Sequence, residues 1–460
     1  MNGYWNKLCK KENYSRGERS VDKEDGKKLP SKEIGIGLLG LGVIGSEVAS
    51  TLINSSEELE KKVGLPIKLS GVLVKNIEKV RSLNIPKNLL TTDRSVIINN
   101  PKIHILVEVI GGTTIAASAV REALQAGIHV ITANKELVAK FGSELHDLAS
   151  ANGVAFHYEA AVGGGIPLVA TLNRALVASR VTTLRAIING TTNYILSEMA
   201  KNKLSFSKAI KQAQDLGYAE PDPTSDIDGS DAAFKLAILT GIAFDSPINY
   251  NDIYKEGIVD LAPNDFVYAD ELGYSIKLLA IAKRQDDDSI DARVHPVLLN
   301  KDTPLAKVDG VLNAIEVSGD LIGQVLLYGE GAGAQPTTNS ILSDLVEIAR
   351  DLSLDNVAIH SHQNEQKHNL YPSNQITVRY YIRMLVSDEP GVMSKITQVL
   401  AQKTISIASV IQRETSASNK LAEVVIMTHK AIENELHESI TELKKVIGVK
   451  DVATVIRLEE

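Results

Sequence analysis

"GIGLLGLGVIG", residues 35–45, contains the spacing G-x-G-x-x-G twice, once from Gly35 and again from Gly40. This spacing is typical of a dinucleotide-binding turn when an apolar strand precedes the first glycine and a helix opens at the last. The polar stretch "LPSKE" precedes Gly35, whereas the apolar residues 34–39 precede Gly40. The second register therefore predicts the phosphate turn, with the following helix opening at Gly45.

The stretch after this turn, "SEVASTLINSSEEL", places Val48, Leu52 and Leu59 at roughly helical spacing, as the required helix demands. We expect the turn to contact a cofactor through six consecutive residues, namely Gly40, Leu41, Gly42, Val43, Ile44 and Gly45.

Composition narrows the class of protein. A chain of 460 residues predicts two or three domains, and a net charge of -8 argues against a nucleic-acid partner. No apolar run reaches membrane-spanning length and no secretory signal is recognisable. Cys9 is the only cysteine, which excludes an intramolecular disulfide and favours the cytoplasm. We expect the polar residues 1–31, which include Trp5, to form a mobile extension.

Residues 32–155 alternate short apolar runs with helical patterns, which is typical of a parallel sheet covered on both faces. Strands are predicted at "IKLSGVLV", "HILVEVIGG", "HVITAN" and "GVAFHYEAAV", and a helix at "TIAASAVREALQAG" with Gly127 near its end. Together with the glycine turn, this pattern predicts an α/β fold with a Rossmann-type dinucleotide-binding domain.

The cofactor's phosphate status is normally read at the end of the second strand. That strand ends in "VLVKN", so Lys75, with Arg81 further on, favours NADP and leaves no obvious acidic acceptor for the ribose of NAD. Lysines at strand ends are also common on surfaces, and NAD stays possible.

The remaining chain divides into three parts. Residues 156–340 mix glycine-rich turns with helices and strands, as expected of an α+β substrate-binding and dimerisation domain, and a helix near 337–352 is expected to return to the first domain. Residues 361–375 are polar without a period and predict a linker. Residues 376–460 follow a ferredoxin-like strand and helix pattern that stands apart from the catalytic motifs before it. This module looks like an amino-acid-sensing ACT domain, although a purely structural dimerisation module would show the same pattern.

The chemistry is concentrated in "DLGYAEPDPTSDIDGSDAAFK", residues 215–235. Asp231 and Lys235 are four residues apart, so they lie on one face of a helix and can form a hydrogen bond. Because Lys235 stands between Phe234 and Leu236, we expect it to be desolvated by apolar neighbours, with a lowered pKa that suits proton exchange near neutral pH.

Together these stretches resemble homoserine dehydrogenase of the ACT-bearing bacterial type. The resemblance runs from about residue 33 to the C-terminus and rests on eight motifs in order: "GLGVIG", "VEVIGG", "HVITANKELVA", "YEAAVGGGIP", "NGTTNYIL", "GYAEPDPTSDIDGSDAAFK", "GEGAGAQPTT" and the final module. The family's reaction is the reversible, NAD(P)H-dependent reduction of L-aspartate 4-semialdehyde to L-homoserine.

The resemblance implies that Lys235 is the acid/base and that Asp231 orients it. Lys135 is implied to position substrate and cofactor, with a possible part in proton transfer. The substrate carries an ammonium group, for which Glu220 resembles the family's acceptor and Asp226 is a second candidate. Thr191 of "NGTTN" would lie beside the substrate, or would simply belong to a capped helix start.

Further roles follow from the same resemblance or from turn chemistry. Glu159, with backbone carbonyls of Val162, Gly164 and Ile166, resembles a monovalent cation site for sodium. Asp222 and Asp228 are expected to shape turns. His360 and His362 are expected to be solvated, which argues against transition-metal catalysis. Additional cofactor contacts are expected from Gly112, Thr113, Gly331 and Gly333.

Two other classes of protein stay open at this point: a nicotinamide-dependent reductase acting on another amino-acid-derived carbonyl, and a non-catalytic sensor. The turn "DEPGV" could receive the carboxylate of an amino-acid effector, for which threonine is the natural candidate. We also expect a homodimer or a homotetramer.

Overall fold

The computed structural model describes residues 33–80, 83–354, 368–416 and 420–460. The extension 1–31 and the residues Trp5, Cys9, Arg81, His360 and His362 lie outside this range, so the corresponding expectations stay predictions. Within it, no helix combines the length and the apolar character needed to cross a membrane.

The first domain is built on a six-stranded parallel sheet in the order β3-β2-β1-β4-β5-β6. Its strands are β1 (Ile34–Leu39), β2 (Ile67–Leu73), β3 (Leu90–Thr91), β4 (Ile105–Glu108), β5 (His129–Thr132) and β6 (Phe156–His157). Its helices are α1 (Val43–Asn54), α2 (Ser56–Val63), α3 (Arg94–Ile98), α4 (Thr114–Gln125) and α5 (Lys135–Ala151). The strand order reverses between β1 and β4, which is where open α/β sheets bind ligands at the carboxyl ends of their strands.

The start of α1 corrects one prediction. The helix begins at Val43 with Gly42 as its N-cap, so Gly45 lies within the first turn rather than before it. A Cβ on Gly45 would overlap the carbonyl oxygen of Gly40, which explains why the last glycine is needed inside the helix. The predicted helix is also divided, because Ser55 leaves the helical conformation between α1 and α2.

The strand predicted at "GVAFHYEAAV" is also shorter than expected. It pairs with β5 only through Phe156 and His157. Residues Glu159–Ala161 turn into a 3-10 helix instead, since the backbone N–H of Glu159 donates to Asp344 rather than to a neighbouring strand.

The second domain supplies strands to a larger sheet: β7 (Val181–Ile187), β8 (Tyr254–Lys255), β9 (Tyr274–Arg284), β10 (Ile290–Asn300), β11 (Leu312–Gly319) and β12 (Gly323–Glu330). Its helices are α6 (Gly190–Asn202), α7 (Phe206–Asp215), α8 (Thr224–Ile227), α9 (Ser230–Phe244) and α10 (Pro263–Glu271). Helix α9 is apolar on most of its surface and buried, as its sequence indicates.

Helix α11 (Ala334–Ser353) follows the second domain but packs against the first. Its residues Ile341 and Leu345 belong to the same buried cluster as Ile34 and Val48. The chain therefore enters the first domain twice, and the segment joining β12 to α11 lies beside the sheet's crevice.

The C-terminal module contains β13 (Thr377–Ser387), α12 (Val392–Gln402), β14 (Ile407–Ser416), β15 (Leu421–Thr428), β16 (Ala431–Ile432), α13 (Glu433–Leu443) and β17 (Val449–Glu459). Its sheet order, β17-β13-β15-β14, is the ferredoxin-like order of four antiparallel strands.

The sheet of this module is continuous with that of the second domain, which the sequence pattern did not indicate. Strand β17 pairs in parallel with β10, with Val297 opposite Arg457, so both sheets join into one of eleven strands among the described residues. Part of the predicted linker is also structured, because Leu370 pairs with Ile290 on the second domain. The remainder of that linker, residues 361–367, lies outside the described range.

Candidate active site

Asp231 is the centre of a charged group where the first domain meets α9. Its side chain lies in the first turn of α9 and is 1% exposed. Lys235, one turn later, donates from Nζ to its Oδ2 at 2.7 Å, which confirms the predicted pairing on one helix face. Lys135, the first residue of α5, forms an ion pair with Oδ1 from the opposite side. One carboxylate therefore joins two ammonium groups from two domains.

The charges fix the protonation states of this group. Burial alone would raise the pKa of Asp231, but the ammonium groups of Lys235 and Lys135 hold that pKa well below its usual range. Burial alone would lower the pKa of Lys135, but the charge of Asp231 outweighs it and raises that pKa above its usual value. At neutral pH the carboxylate is thus ionised and Lys135 is protonated.

The surroundings of Lys235 differ from those expected. Its neighbours in sequence are apolar, but its Nζ lies between Asp231 and the backbone carbonyl of Ile188, to which it donates at 2.9 Å. The ammonium group therefore has two oxygen acceptors in fixed positions. A backbone carbonyl of this kind leaves no side-chain pattern from which the sequence analysis could have found it.

Asn189 is a site residue that the sequence analysis did not single out. Its Nδ2 donates to Asp231 at 2.8 Å and to Asp226 at 2.7 Å, and its Oδ1 accepts from the backbone of Thr192 as the N-cap of α6. It holds two carboxylates together, and burial is the main reason that the pKa of Asp226 is raised. An asparagine directly before a helix start was the available signal.

The other predicted substrate residues lie further out. Glu220 is exposed in the loop between α7 and α8, and its carboxylate makes no hydrogen bond to the described residues of the Asp231 group. Thr191 donates from its hydroxyl to the carbonyl of Tyr218 at 2.8 Å, which fastens that loop to α6. Asp222 accepts from Thr224, and Asp228 accepts from Ser230, so both shape turns as predicted.

The glycine turn leaves room for a cofactor. Gly40 has φ of +105°, and a Cβ there would approach the carbonyl oxygen of Val109 to 2.9 Å. A Cβ on Gly42, the N-cap of α1, would meet no described atom within 4 Å. The backbone N–H groups at this helix start therefore face open space, which fits the pyrophosphate of a dinucleotide.

The loop after β4 forms the facing wall of this crevice. Gly112 has φ of +68° and an open Cβ direction, and Thr113 begins α4 as its N-cap. The fully buried Glu108 accepts from the backbone N–H of Ile110 at 2.8 Å, and burial raises its pKa. Glu108 orders this loop and is a second residue that the sequence analysis missed.

Lys75 is exposed just beyond the carboxyl end of β2, beside the glycine turn. Gly333 is the N-cap of α11 with φ of +123° and is likewise exposed. Gly331 differs from the expectation, because a Cβ on it would overlap Asn313. Gly331 therefore packs closely against other parts of the protein, including Gly164.

The glycine loop that contains the candidate cation ligands is held mainly by hydrogen bonds. Glu159 accepts from the backbone N–H groups of Leu168, Val169 and Ala170 at 2.6, 2.9 and 2.7 Å, so its carboxylate caps the following helical turn. The carbonyl of Gly164 accepts from Ser340 at 2.6 Å. Val162 and Ile166 have buried side chains that fix the loop. The Glu159 carboxylate is thus occupied by backbone N–H groups.

A parallel sheet with an open phosphate turn, joined to a buried aspartate that pairs with two lysines, defines an NAD(P)-dependent oxidoreductase. The sequence profile described as "Homoserine dehydrogenase, NAD binding domain" matches residues 40–159, that of "Homoserine dehydrogenase" matches residues 167–346, and that of the ACT domain matches residues 380–448. The chain belongs to the homoserine dehydrogenase family, as the resemblance predicts.

Individual relatives agree over most of the chain. The homoserine dehydrogenase of Neisseria gonorrhoeae is 40% identical over 433 residues, which cover 93% of this chain and 99% of that protein. The enzyme of the same name from Bacillus subtilis is 38% identical over 428 residues, with coverage of 93% and 99%. The crystal structure of a homoserine dehydrogenase from Thiobacillus denitrificans matches with a TM-score of 0.85 and 39% identity, covering 93% of this chain and 98% of that one.

Proposed function

We propose that Asp231, Lys235 and Lys135 form the catalytic centre for reversible, NAD(P)H-dependent reduction of L-aspartate 4-semialdehyde to L-homoserine. The observation that carries this assignment is the buried Asp231 carboxylate, which holds two ammonium groups at the junction of the nucleotide-binding sheet and the second domain. A sensor that only binds ligands has no need of a buried carboxylate that orients two lysines.

Reduction needs a hydride at the aldehyde carbon and a proton at its oxygen, and bound NAD(P)H supplies the hydride. Lys235 Nζ holds the proton for that oxygen, and in the reverse direction it accepts the proton from the homoserine hydroxyl. Asp231 Oδ2 and the carbonyl of Ile188 fix the direction in which this ammonium group points. Lys135 stays protonated beside them and positions the substrate and the nicotinamide ring.

The substrate contains an ammonium and a carboxylate. The Asp231 group contains two lysines and, with Asp226, two carboxylates, so it adds no net charge to the pocket before the substrate binds. We propose Asp226 as the inner acceptor of the substrate ammonium, with the exposed Glu220 as an outer acceptor that approaches when the substrate binds. Thr191 would place its hydroxyl beside the same substrate.

The test of this function is the oxidation of NADPH by the full chain in the presence of aspartate semialdehyde. Rapid turnover supports the assignment. Turnover only with another amino-acid-derived aldehyde would favour a different reductase on the same scaffold. NADPH binding without turnover of any such aldehyde would favour a sensor.

The cofactor preference is proposed to be NADP, with NAD as a slower alternative. Lys75 is exposed at the end of β2, where the adenosine ribose is normally recognised, and no acidic side chain follows that strand directly. We expect Lys75→Glu to weaken NADPH binding while NADH binding is unchanged or improved. Titration of both cofactors into the wild type and the variant measures this, with Lys87→Glu as a control on the exposed surface. Equal loss with both cofactors would contradict the role of Lys75.

We further propose that the loop of Val162, Gly164 and Ile166 can hold a sodium ion through backbone carbonyls. The positive φ angles of Gly163 and Gly164, +77° and +57°, support this, since they let the loop turn carbonyls inward. Glu159 would then order the loop through its backbone contacts rather than ligate the ion.

The ACT domain is proposed to bind an amino-acid effector, with threonine as the first candidate. Within "DEPGV", Gly391 has φ of +92° and is the N-cap of α12, a helix start suited to a carboxylate. We expect threonine at millimolar concentration to inhibit NADPH oxidation and to raise the thermal midpoint. Unchanged activity together with an unchanged midpoint would contradict threonine, and isoleucine would be tested next.

We also propose that the enzyme is cytoplasmic and forms a homodimer or homotetramer. The single cysteine supports a reducing compartment. The expected symmetry rests on the general tendency of such domains to pair.

A further inference from the structure

We propose that Glu256 and Arg457 are positioning residues for the reaction. Their ion pair joins the last strand of the ACT domain to a short segment of the second domain, and that segment supports the turn from which Asp226 and α9 project. This inference rests on the proposed function of Asp226, Asp231 and Lys235.

The ACT side of this connection is a buried arginine. Arg457 on β17 is 4% exposed, and its two terminal nitrogens donate to both carboxylate oxygens of Glu256 at 3.0 Å. Its Nε donates to Glu433 at 2.9 Å, which ties the same guanidinium to the start of α13. The ring of Tyr254 lies 5.2 Å from the guanidinium carbon. A bidentate pair of this kind fixes both the distance and the plane of the Glu256 carboxylate.

The backbone that follows β8 connects the Glu256–Arg457 ion pair to the turn before α9. Glu256 donates its N–H to the carbonyl of Val294 at 2.7 Å, and Ile258 donates to the carbonyl of Ile227 at 2.9 Å. A Cβ on Gly257 would overlap that same Ile227 carbonyl oxygen, so the two backbones are in direct contact. A displacement of residues 256–258 would therefore move the end of α8.

The turn itself holds the catalytic side chains. Asp226 belongs to α8, and its carbonyl accepts from Gly229, the N-cap of α9, at 3.2 Å. Asp231 follows in the first turn of α9. Lys255 binds the same turn from outside, through Ser230 and, at 3.6 Å, Asp228. The connection from Arg457 to Asp231 thus consists of direct contacts throughout.

The strand topology explains why the Glu256–Arg457 ion pair acts on the turn between α8 and α9 and not only on overall stability. Strands β8 and β17 pair with the same β10, at Arg293–Val294 and at Val297–Leu299 respectively. The ACT strand therefore lies end to end with the segment that supports the turn. The interdomain ion pair of Arg413 with Glu271 lies on other elements, β14 and α10.

The test compares Glu256→Gln with Arg413→Met in the full chain. Glu256→Gln keeps the shape of the side chain and removes the charge. We expect about a tenfold rise in KM for aspartate semialdehyde and about a tenfold fall in kcat, because a small displacement of reacting groups is costly. We expect an unchanged Kd for NADPH and a thermal midpoint close to that of the wild type. Arg413→Met removes an exposed interdomain ion pair and should leave both kinetic constants unchanged.

Gly257→Ala is the second variant, since its Cβ pushes the turn directly without touching the ion pair, and it should give the same kinetic pattern. Wild-type kinetics in Glu256→Gln would overturn the proposal, as would a lower kcat with unchanged KM and a lowered thermal midpoint.

Hydrogen–deuterium exchange of residues 222–235 is measured in parallel. Faster exchange in Glu256→Gln supports the proposal even if the wild type does not reduce aspartate semialdehyde, an outcome that would refute only the proposed function. Unchanged exchange in Glu256→Gln overturns the proposal that Glu256 and Arg457 are positioning residues.

Discussion

Replacement of Lys235 by methionine is expected to lower kcat for NADPH-dependent reduction of aspartate semialdehyde by roughly 10²–10⁴-fold, the usual contribution of a general acid. Methionine has a similar length but carries no proton, so the substrate oxygen loses its donor. The protein should still fold, because Asp231 keeps the ammonium group of Lys135 and the amide of Asn189 as partners. NADPH binding should be unchanged, since the phosphate turn lies in the other domain.

The matched control is Lys211→Met on the exposed face of α7, where the lysine pairs with Asp215. Steady-state kinetics and fluorescence titration of NADPH give the required quantities. If Lys235→Met retained more than a small fraction of kcat while Lys135→Met lost it, proton transfer would belong to Lys135. If both variants were fully active, the catalytic assignment would be wrong.

Asp231→Asn is expected to have the second largest effect, and it acts on pH dependence as well as on rate. The charge of Asp231 raises the pKa of Lys135 above its usual value although burial opposes this. Removing the charge leaves burial, which lowers that pKa, against the smaller raising effects of Asp226 and Glu136. The alkaline limb of the kcat profile should therefore move to lower pH in the variant, because the ammonium form is lost sooner.

Stability should change in the same variant. The pKa of Asp231 is depressed in the folded protein, so its charge contributes stability above the pKa of the unfolded chain, and this contribution is lost as the pH falls through the folded value. At neutral pH we expect Asp231→Asn to lower the free energy of unfolding by about 3 kcal/mol, as for other broken buried pairs. Urea unfolding at neutral and acidic pH measures this, with exposed Asp222→Asn as the control. An unchanged alkaline limb would contradict the proposed coupling of Asp231 to Lys135.

The contact between Asp231 and Lys235 could be predicted from sequence because it is local. Asp231 and Lys235 are four residues apart in an apolar helix, and helical geometry alone brings them together. Lys135 was assigned only through resemblance, since no local rule brings the start of α5 to α9. The carbonyl of Ile188 could not be predicted, because every residue carries one and only the folded chain selects which is used.

The fold likewise divides into features that local sequence predicts and features that depend on distant contacts. Alternating patterns and glycine spacing predicted the parallel sheet and its phosphate turn, because both depend on neighbouring residues. The pairing of β17 with β10 was missed, because a strand's own sequence indicates its two faces but not its neighbour across a domain boundary. The role of Asn189 depended on such tertiary contacts as well, although its position before a helix was a usable signal.

The pairing of β17 with β10 also covers one strand edge of the second domain and so protects the protein from aggregation through that edge. Without the ACT domain, the C-terminal half of β10 would present unpaired N–H and C=O groups along a strand rich in valine and leucine. Exposed edges of this kind recruit strands from other molecules and begin aggregation. The ACT module therefore also acts as a cover for an otherwise exposed sheet edge, independently of any effector that it binds.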